Sequence, residues 1–133
     1  MPLQKPRTVV DANVILRFLL KDDEQLYRIA EDFWEGVVEG KRIAYIPEAV
    51  IAEVVYVLEK LYKVNRSEIS DILRELLQVK HIKTYSKDTL MKALDIYSSK
   101  KIDFVDCLIC AYGKDYEVIS FDKDVSKCLG LSK

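Results

Sequence analysis

Four short runs rich in β-branched and aromatic residues recur along this chain, and helical spacing fills the stretches between them. The runs are "TVV" (8–10), "RIAYI" (42–46), "HIKTY" (81–85) and "EVIS" (117–120). This alternation leaves few folds open. Parallel strands need long crossovers, helices supply them, and the sheet they build is covered on both faces. The expected architecture is therefore α/β, a three-layer α/β/α sandwich around a central parallel sheet of four to five strands.

The helices can be placed from their periodicity and end signals. "NVILRFLL" forms a short helix, "KDD" breaks the chain, and a second helix runs from about Asp23 to Glu39. Its spacing predicts Leu26, Ile29, Ala30, Phe33, Trp34 and Val37 on one face. Gly40 stands where a helix-ending glycine is favoured. Pro47 opens a helix reaching about Lys63, Asn65 ends it, and Ser67 is expected to cap the next. That helix carries Ile69, Ile72, Leu73, Leu76 and Leu77 as its stripe. Ser86 opens another, with Leu90, Ala93, Leu94 and Tyr97 inward. Residues 103–116 form a helix with Val105, Leu108, Ile109 and Tyr112 on one side, and "FDKDVSKCLG" is a loop with a final short helix.

Composition narrows the class further. At 133 residues, half of them hydrophobic, the chain can bury a real core, and a single domain spanning 1–133 is expected. The formal net charge of -1 excludes a generally basic nucleic-acid binder, so any such contact needs a local patch. No run of eighteen apolar residues exists, and Lys5, Arg7 and Asp11 interrupt the N-terminal stretch, so neither a membrane span nor a signal segment is expected. The protein reads as cytoplasmic. Its three cysteines, an odd number, are expected as reduced thiols, with the Cys107/Cys110 pair as small core residues. The lone histidine, His81, falls in a predicted strand and is taken as structural.

One helix contains an anomaly. In "AVIAEVVYVL" (49–58) nine of ten residues are apolar and the tenth is Glu53. A lone buried carboxylate is costly and usually has a partner. Its neighbours one turn away are Ala49, Val50, Tyr56 and Val57, and none can neutralise it. Other acids break apolar patterns too. Asp11 follows the first strand, Asp106 interrupts "FVDCLICA", and Asp122 lies two residues past the fourth run, with Asp124 close behind. In open α/β sheets ligands gather outside the carboxyl ends of strands, where Asp11 and Asp122 stand. Each acid alone reads blandly as a helix cap or a first-turn acid, and Asp103 is the simpler cap of its helix. Gathered, they would repel one another unless a hard divalent cation lay between them. Mg²⁺ or Mn²⁺, one or two ions, suits an all-oxygen site and serves phosphoryl chemistry.

These motifs resemble those of a known family. "VVDANVILRFLLKDD", "IPEAVIAEVVYVLEK", "DFVDCLICAY" and "VISFDKDVSKCLG" are similar, in order and spacing, to the four acidic motifs of PIN domains. The resemblance implies a metal-dependent ribonuclease with Asp11, Glu53, Asp106 and Asp122 as catalytic and metal-binding acids. It gives Asn13 a role in ordering the site, and Ser120 stands where the family often has threonine. Asp124 could replace or assist Asp122. PIN proteins of this size resemble VapC toxins, which implies a homodimer and a small antitoxin partner. An RNA substrate would also need cations at the rim, and Arg17, Lys100, Lys101, Lys123 and Lys127 neighbour the acidic motifs.

Other classes remain to be weighed. A PIN nuclease of RNA processing, or a non-catalytic RNA- or protein-binding module on the same fold, would share the framework. A phosphatase-like site needs a second Asp at position 13, where Asn13 stands. A receiver-type site needs a phosphoacceptor Asp after a middle strand, and "HIKTY" offers none.

Overall fold

Three of the four β-branched runs pair as strands. The computed structural model describes residues 5–130, in which β1 (Arg7–Val9), β2 (Ile43–Tyr45) and β3 (Ile82–Lys83) form one parallel sheet in the order β1-β2-β3. Thr8 lies opposite Ala44, and Ala44 opposite Ile82. The ladder continues one residue past each of the first two strands. The Val10 N–H donates to the Tyr45 carbonyl at 2.9 Å and the Ile46 N–H to the Lys83 carbonyl at 2.8 Å. Val10 and Ile46 are thereby buried, and the residues that follow, Asp11 and Pro47, emerge at the carboxyl edge of the sheet.

Seven α-helices complete the described residues: α1 (Ala12–Leu20), α2 (Glu24–Val38), α3 (Glu48–Tyr56), α4 (Arg66–Leu77), α5 (Lys87–Ser99), α6 (Phe104–Tyr112) and α7 (Lys123–Cys128). Most start as the sequence predicts. The Asp23 and Ser86 side chains accept backbone N–H bonds at the heads of α2 and α5, and Gly40 adopts a φ of +80° just past α2. Asn65, rather than Ser67, caps α4, because its carboxamide oxygen reaches the Glu68 N–H at 2.8 Å. Helix α3 runs on through a π-helical turn, Val57–Leu61, so the chain turns away before Lys63.

Helices α1 and α2 pack together, α3 lies against both α1 and α6, and α5 sits between α4 and α6. One continuous core joins them, from Val10 and Ile15 through Trp34, Ile51, Leu73 and Leu94 to Tyr97 and Cys107. The expected inward face of α5 (Leu90, Ala93, Leu94, Tyr97) is fully buried. On α2 the buried arc is narrower than the periodicity suggests. Ala30, Trp34 and Val37 face the core, while Leu26 and Ile29 remain exposed, because α1 covers only part of that side. On α6 the core face is Phe104, Cys107, Cys110 and Ala111, and Val105 is exposed. The helix lies between neighbours on that face, and a pattern this rich in apolar residues does not fix its rotation.

Two further expectations are corrected. Residues 117–120 form no strand here: Ile119 is 91 % exposed and the segment has no ladder partner. The cysteines are not all thiols, since Cys110 and Cys128 are joined as a disulfide and only Cys107 is free. Two residues eighteen apart in sequence meet because α7 folds back onto α6. Burial pushes the Cys107 thiol up to about 11, so it stays protonated and inert. His81 precedes β3 rather than lying in it, and its Nε2 is 3.2 Å from Lys5 Nζ.

Candidate active site

Each acid is delivered by a different element. Asp11 ends the β1 ladder and caps α1, its Oδ1 accepting the Ala12 N–H at 2.6 Å. Glu53 rides on α3, on the side away from the buried Ile51, Val54 and Val55. It is exposed, so the picture of a carboxylate locked in a dry helix is corrected: the apolar run wraps round the helix, and Glu53 sits on its wet edge. Asp106 lies half-buried in the first turn of α6. Asp122 caps α7, its Oδ1 accepting the N–H groups of Asp124 at 2.8 Å and Val125 at 3.1 Å. Ser120 steadies the approach to that cap, its Oγ accepting the Asp122 N–H at 3.0 Å. Asp103 occupies the cap position of α6 without a side-chain cap bond; its carbonyl instead accepts the Cys107 N–H.

The electrostatics mark one part of this set as a cluster. Partial burial raises the Asp106 carboxyl above its usual range, and the charges of Asp122, Asp103 and Asp124 raise it further. These four acids therefore share one neighbourhood at the α6–α7 contact. Asp11 and Glu53 stand on α1 and α3, which pack on each other, and α3 packs on α6. Yet among the described residues no three His, Cys, Asp or Glu side chains stand close enough to form a ready-made metal cage. Asp11, Glu53, Asp106 and Asp122 are expected within direct or water-bridged reach of one ion, and among the described residues they form no ready direct cage. Like charges favour separation unless a cation lies between them, and Asp11 and Asp122 already spend an oxygen on backbone caps. The donor chemistry nevertheless fits a hard divalent ion. All the groups are oxygens, Asp106 carries uncompensated acidic neighbours, and Mg²⁺ commonly keeps several waters between itself and its carboxylates.

A groove of about 410 Å³ opens beside Asp106, lined by Tyr56, Glu59, Lys60 and Asp103 among others. Glu59 belongs to a network that the sequence reading missed. The Tyr97 hydroxyl donates to Glu59, and Arg66 stands 3.7 Å from it. Burial tends to raise the Glu59 carboxyl, but the Tyr97 hydroxyl bond, Arg66 and Lys60 outweigh that and hold it below its usual range. Arg66 Nη1 also donates to the carbonyls of Tyr97, Lys100 and Ile102, which fixes the connection leading into Asp103 and Asp106. The available signal was Glu59 itself, a second acid six residues after Glu53, in the π-helical turn that continues α3.

The cations expected at the rim divide into two groups. Arg17 is engaged by Asp22 at 2.8 Å, and with Asn13 it lines an apolar groove between β1, α1 and α2. Lys100 and Lys101 lie in the α5–α6 connection, Lys123 and Lys127 on α7, all exposed. Among the described residues these four lysines form no ion pair, so they are free to meet an anion.

A parallel α/β domain carrying dispersed acids at the sheet's carboxyl edge and at the heads of the helices packed beside it defines the class. The PIN domain family model matches residues 8–128, and the chain belongs to that family. It is 31 % identical over 122 residues to the VapC ribonuclease of Aquifex aeolicus (strain VF5), a match covering 90 % of each chain. No solved structure matches it.

Proposed function

We propose that the chain is a toxin-type PIN endoribonuclease, dependent on Mg²⁺ or Mn²⁺ and acting on RNA in the cytoplasm. The likeness to a VapC ribonuclease over nine-tenths of both chains carries this reading. Glu53 and Asp106 belong to α3 and α6 and Asp122 caps α7, with α3 and α7 both packed on α6, while Asp11 caps α1, which packs on α3. Asp11, Glu53, Asp106 and Asp122 would hold the ion, with Asp124 and Asp103 extending the acidic surface. When bound, the ion lowers the pKa of a coordinated water and neutralises charge developing on the scissile phosphate.

The chain's own residues do the rest. Ser120 holds the Asp122 backbone, so the cap and the carboxylate are set together. Asn13, the second residue of α1, would help order the site beside Asp11. Lys100, Lys101, Lys123 and Lys127 draw the RNA backbone toward an otherwise repulsive acidic site. Arg17 would join them only by exchanging Asp22 for phosphate. The reading implies a three-layer α/β/α sandwich on a sheet of four to five strands; β1 pairs only with β2 among the described residues, which supports a further strand at that edge.

The chain functions as one nuclease unit over 1–133, as a homodimer, and is silenced by a cognate antitoxin protein. The apolar groove lined by Val9, Leu26, Ile29 and Phe33 supports a protein–protein contact. No described helix is long and apolar enough to cross a membrane. The deciding experiment incubates the purified protein with RNA in Mn²⁺ or Mg²⁺. Cleavage is expected, EDTA stops it, and Asp11→Asn and Asp106→Asn abolish it. Full activity in either variant would falsify the site.

A further inference from the structure

We propose that Cys110 and Cys128 form a reversible covalent tie that positions the acids of α7 against Asp106. The proposal rests on the nuclease reading of those acids and adds a modification site to it.

Three observations converge. The disulfide joins α6, which carries Asp106, to α7, which carries Asp122 and Asp124. Helix α7 is six residues long, and α6 is its main packing partner. Of its residues only Val125 is buried, so little apolar surface anchors it. Against that weak anchorage stand like charges on the two packed helices, Asp106 in the first turn of α6 and Asp122 and Asp124 at the head of α7. A short helix held by one buried valine and repelled by its neighbour's charge needs a further restraint to stay in register, and the Cys110–Cys128 bond is that restraint. Cys107, buried on the same helix, takes no part and serves as an internal control.

The chemistry balances as thiol–disulfide exchange. One Cys thiolate attacks a low-molecular-weight disulfide, giving a mixed disulfide and releasing one thiol. The second Cys thiolate then displaces the second thiol. The two protein thiols lose two protons and two electrons, and the small disulfide is reduced to two thiols. A dithiol reverses the reaction. Cys128 is only partly buried, which gives such reagents a route in.

The test uses the full chain, equilibrated with either oxidised glutathione or dithiothreitol. Peptide mapping under non-reducing conditions should show a 110–128 cross-link in the first state, with Cys107 as a thiol. Mn²⁺ titration should show about tenfold tighter binding in the oxidised protein, the scale expected when ligand orientation is secured from outside the coordination shell. Metal-free Tm should fall by about 5–10 °C on reduction. Cys128→Ser should match the reduced protein under both conditions, and Cys107→Ser should keep the redox response. Three free thiols after glutathione treatment, or equal Mn²⁺ affinity in the two states, overturns the tie and leaves the nuclease reading standing. Absence of Mn²⁺ binding in both states overturns the nuclease reading and the role of the tie with it.

Discussion

Replacing Arg66 by methionine tests how the nuclease face is held. One guanidinium nitrogen donates to the carbonyls of Tyr97 at 3.1 Å, Lys100 at 3.0 Å and Ile102 at 2.7 Å. The first two belong to the end of α5, where carbonyls lack helical partners and the helix dipole is negative. The guanidinium also lies 4.3 Å from the centroid of the Tyr97 ring. A hydrogen bond to a charged group is worth about 1.5–3 kcal/mol. Nη1 has two hydrogens for three acceptors, so these bonds cannot all be full ones. The ring contact adds about 0.5–1 kcal/mol, and the partly exposed pair with Glu59 at most about 1 kcal/mol. Water can reach the Lys100 carbonyl in the variant and offsets part of the loss. A net destabilisation of about 2–4 kcal/mol follows, or about 6–12 °C in Tm for a domain of this size. Differential scanning calorimetry of Arg66→Met reads the shift. Arg66→Lys should recover less than half of it, because a point charge cannot span the same fork of carbonyls. Since residues 100–103 lead directly into Asp106, turnover on RNA should fall about tenfold at a temperature where the variant is folded. A Tm drop below about 2 °C with unchanged turnover refutes the claim that Arg66 organises this connection.

Other outcomes are equally open to measurement. Leu94→Ala, at a fully buried position between α5 and its neighbours, should cost about 2–5 kcal/mol by chemical denaturation and leave the candidate acids in place. The raised pKa of Asp106 has a defined sign for the metal-free protein. Its stabilising contribution is complete below the ordinary Asp pKa of about 4 and is lost as pH rises through the higher folded value. Metal-free stability should therefore decline across that window, Asp106→Asn should flatten the decline, and an identical pH profile in the variant would exclude Asp106 as its source. Replacing Lys100, Lys101, Lys123 and Lys127 together by Gln should weaken RNA binding and lower its salt dependence by about three to four counterions. An unchanged slope in filter-binding assays would place the RNA elsewhere. Light scattering should give twice the chain mass; a monomer at high concentration would count against the dimer.

The framework was legible because its signals are local. Asp23, Ser86, Gly40 and the α5 stripe declare themselves through capping chemistry and helical period, and the structure uses them as such. What stayed hidden depends on partners distant in sequence. Which arc of α2 is buried follows from where α1 lies, and the rotation of α6 follows from having neighbours on several sides. The Cys110–Cys128 pairing needed the return of α7, which no spacing rule announces. Glu53 shows the same limit from the other side. An apolar run implied burial, but the helix turns that one position outward, so its solitude in the sequence reflects a place at the wet edge of the helix and not a charge sealed in a core.

That edge placement changes how the acids would work together. A deeply buried carboxylate set must pay for desolvation whether or not a cation is bound, and its geometry is fixed by packing. Here Asp11, Glu53 and Asp122 are exposed and only Asp106 is half-buried, so the cost of bringing them together is mainly mutual repulsion. Repulsion of that kind is relieved by a divalent ion and screened by salt. The sites of restraint are accordingly outside the acids themselves: Ser120 on the Asp122 backbone, Arg66 on the approach to Asp106, and the disulfide between α6 and α7. Each acts on the main chain or on a helix and leaves the carboxylate oxygens available. A nuclease face built this way would bind a cation through preorganised backbone and adaptable side chains, and its metal affinity should respond more to loss of those restraints than to any change in the surrounding core.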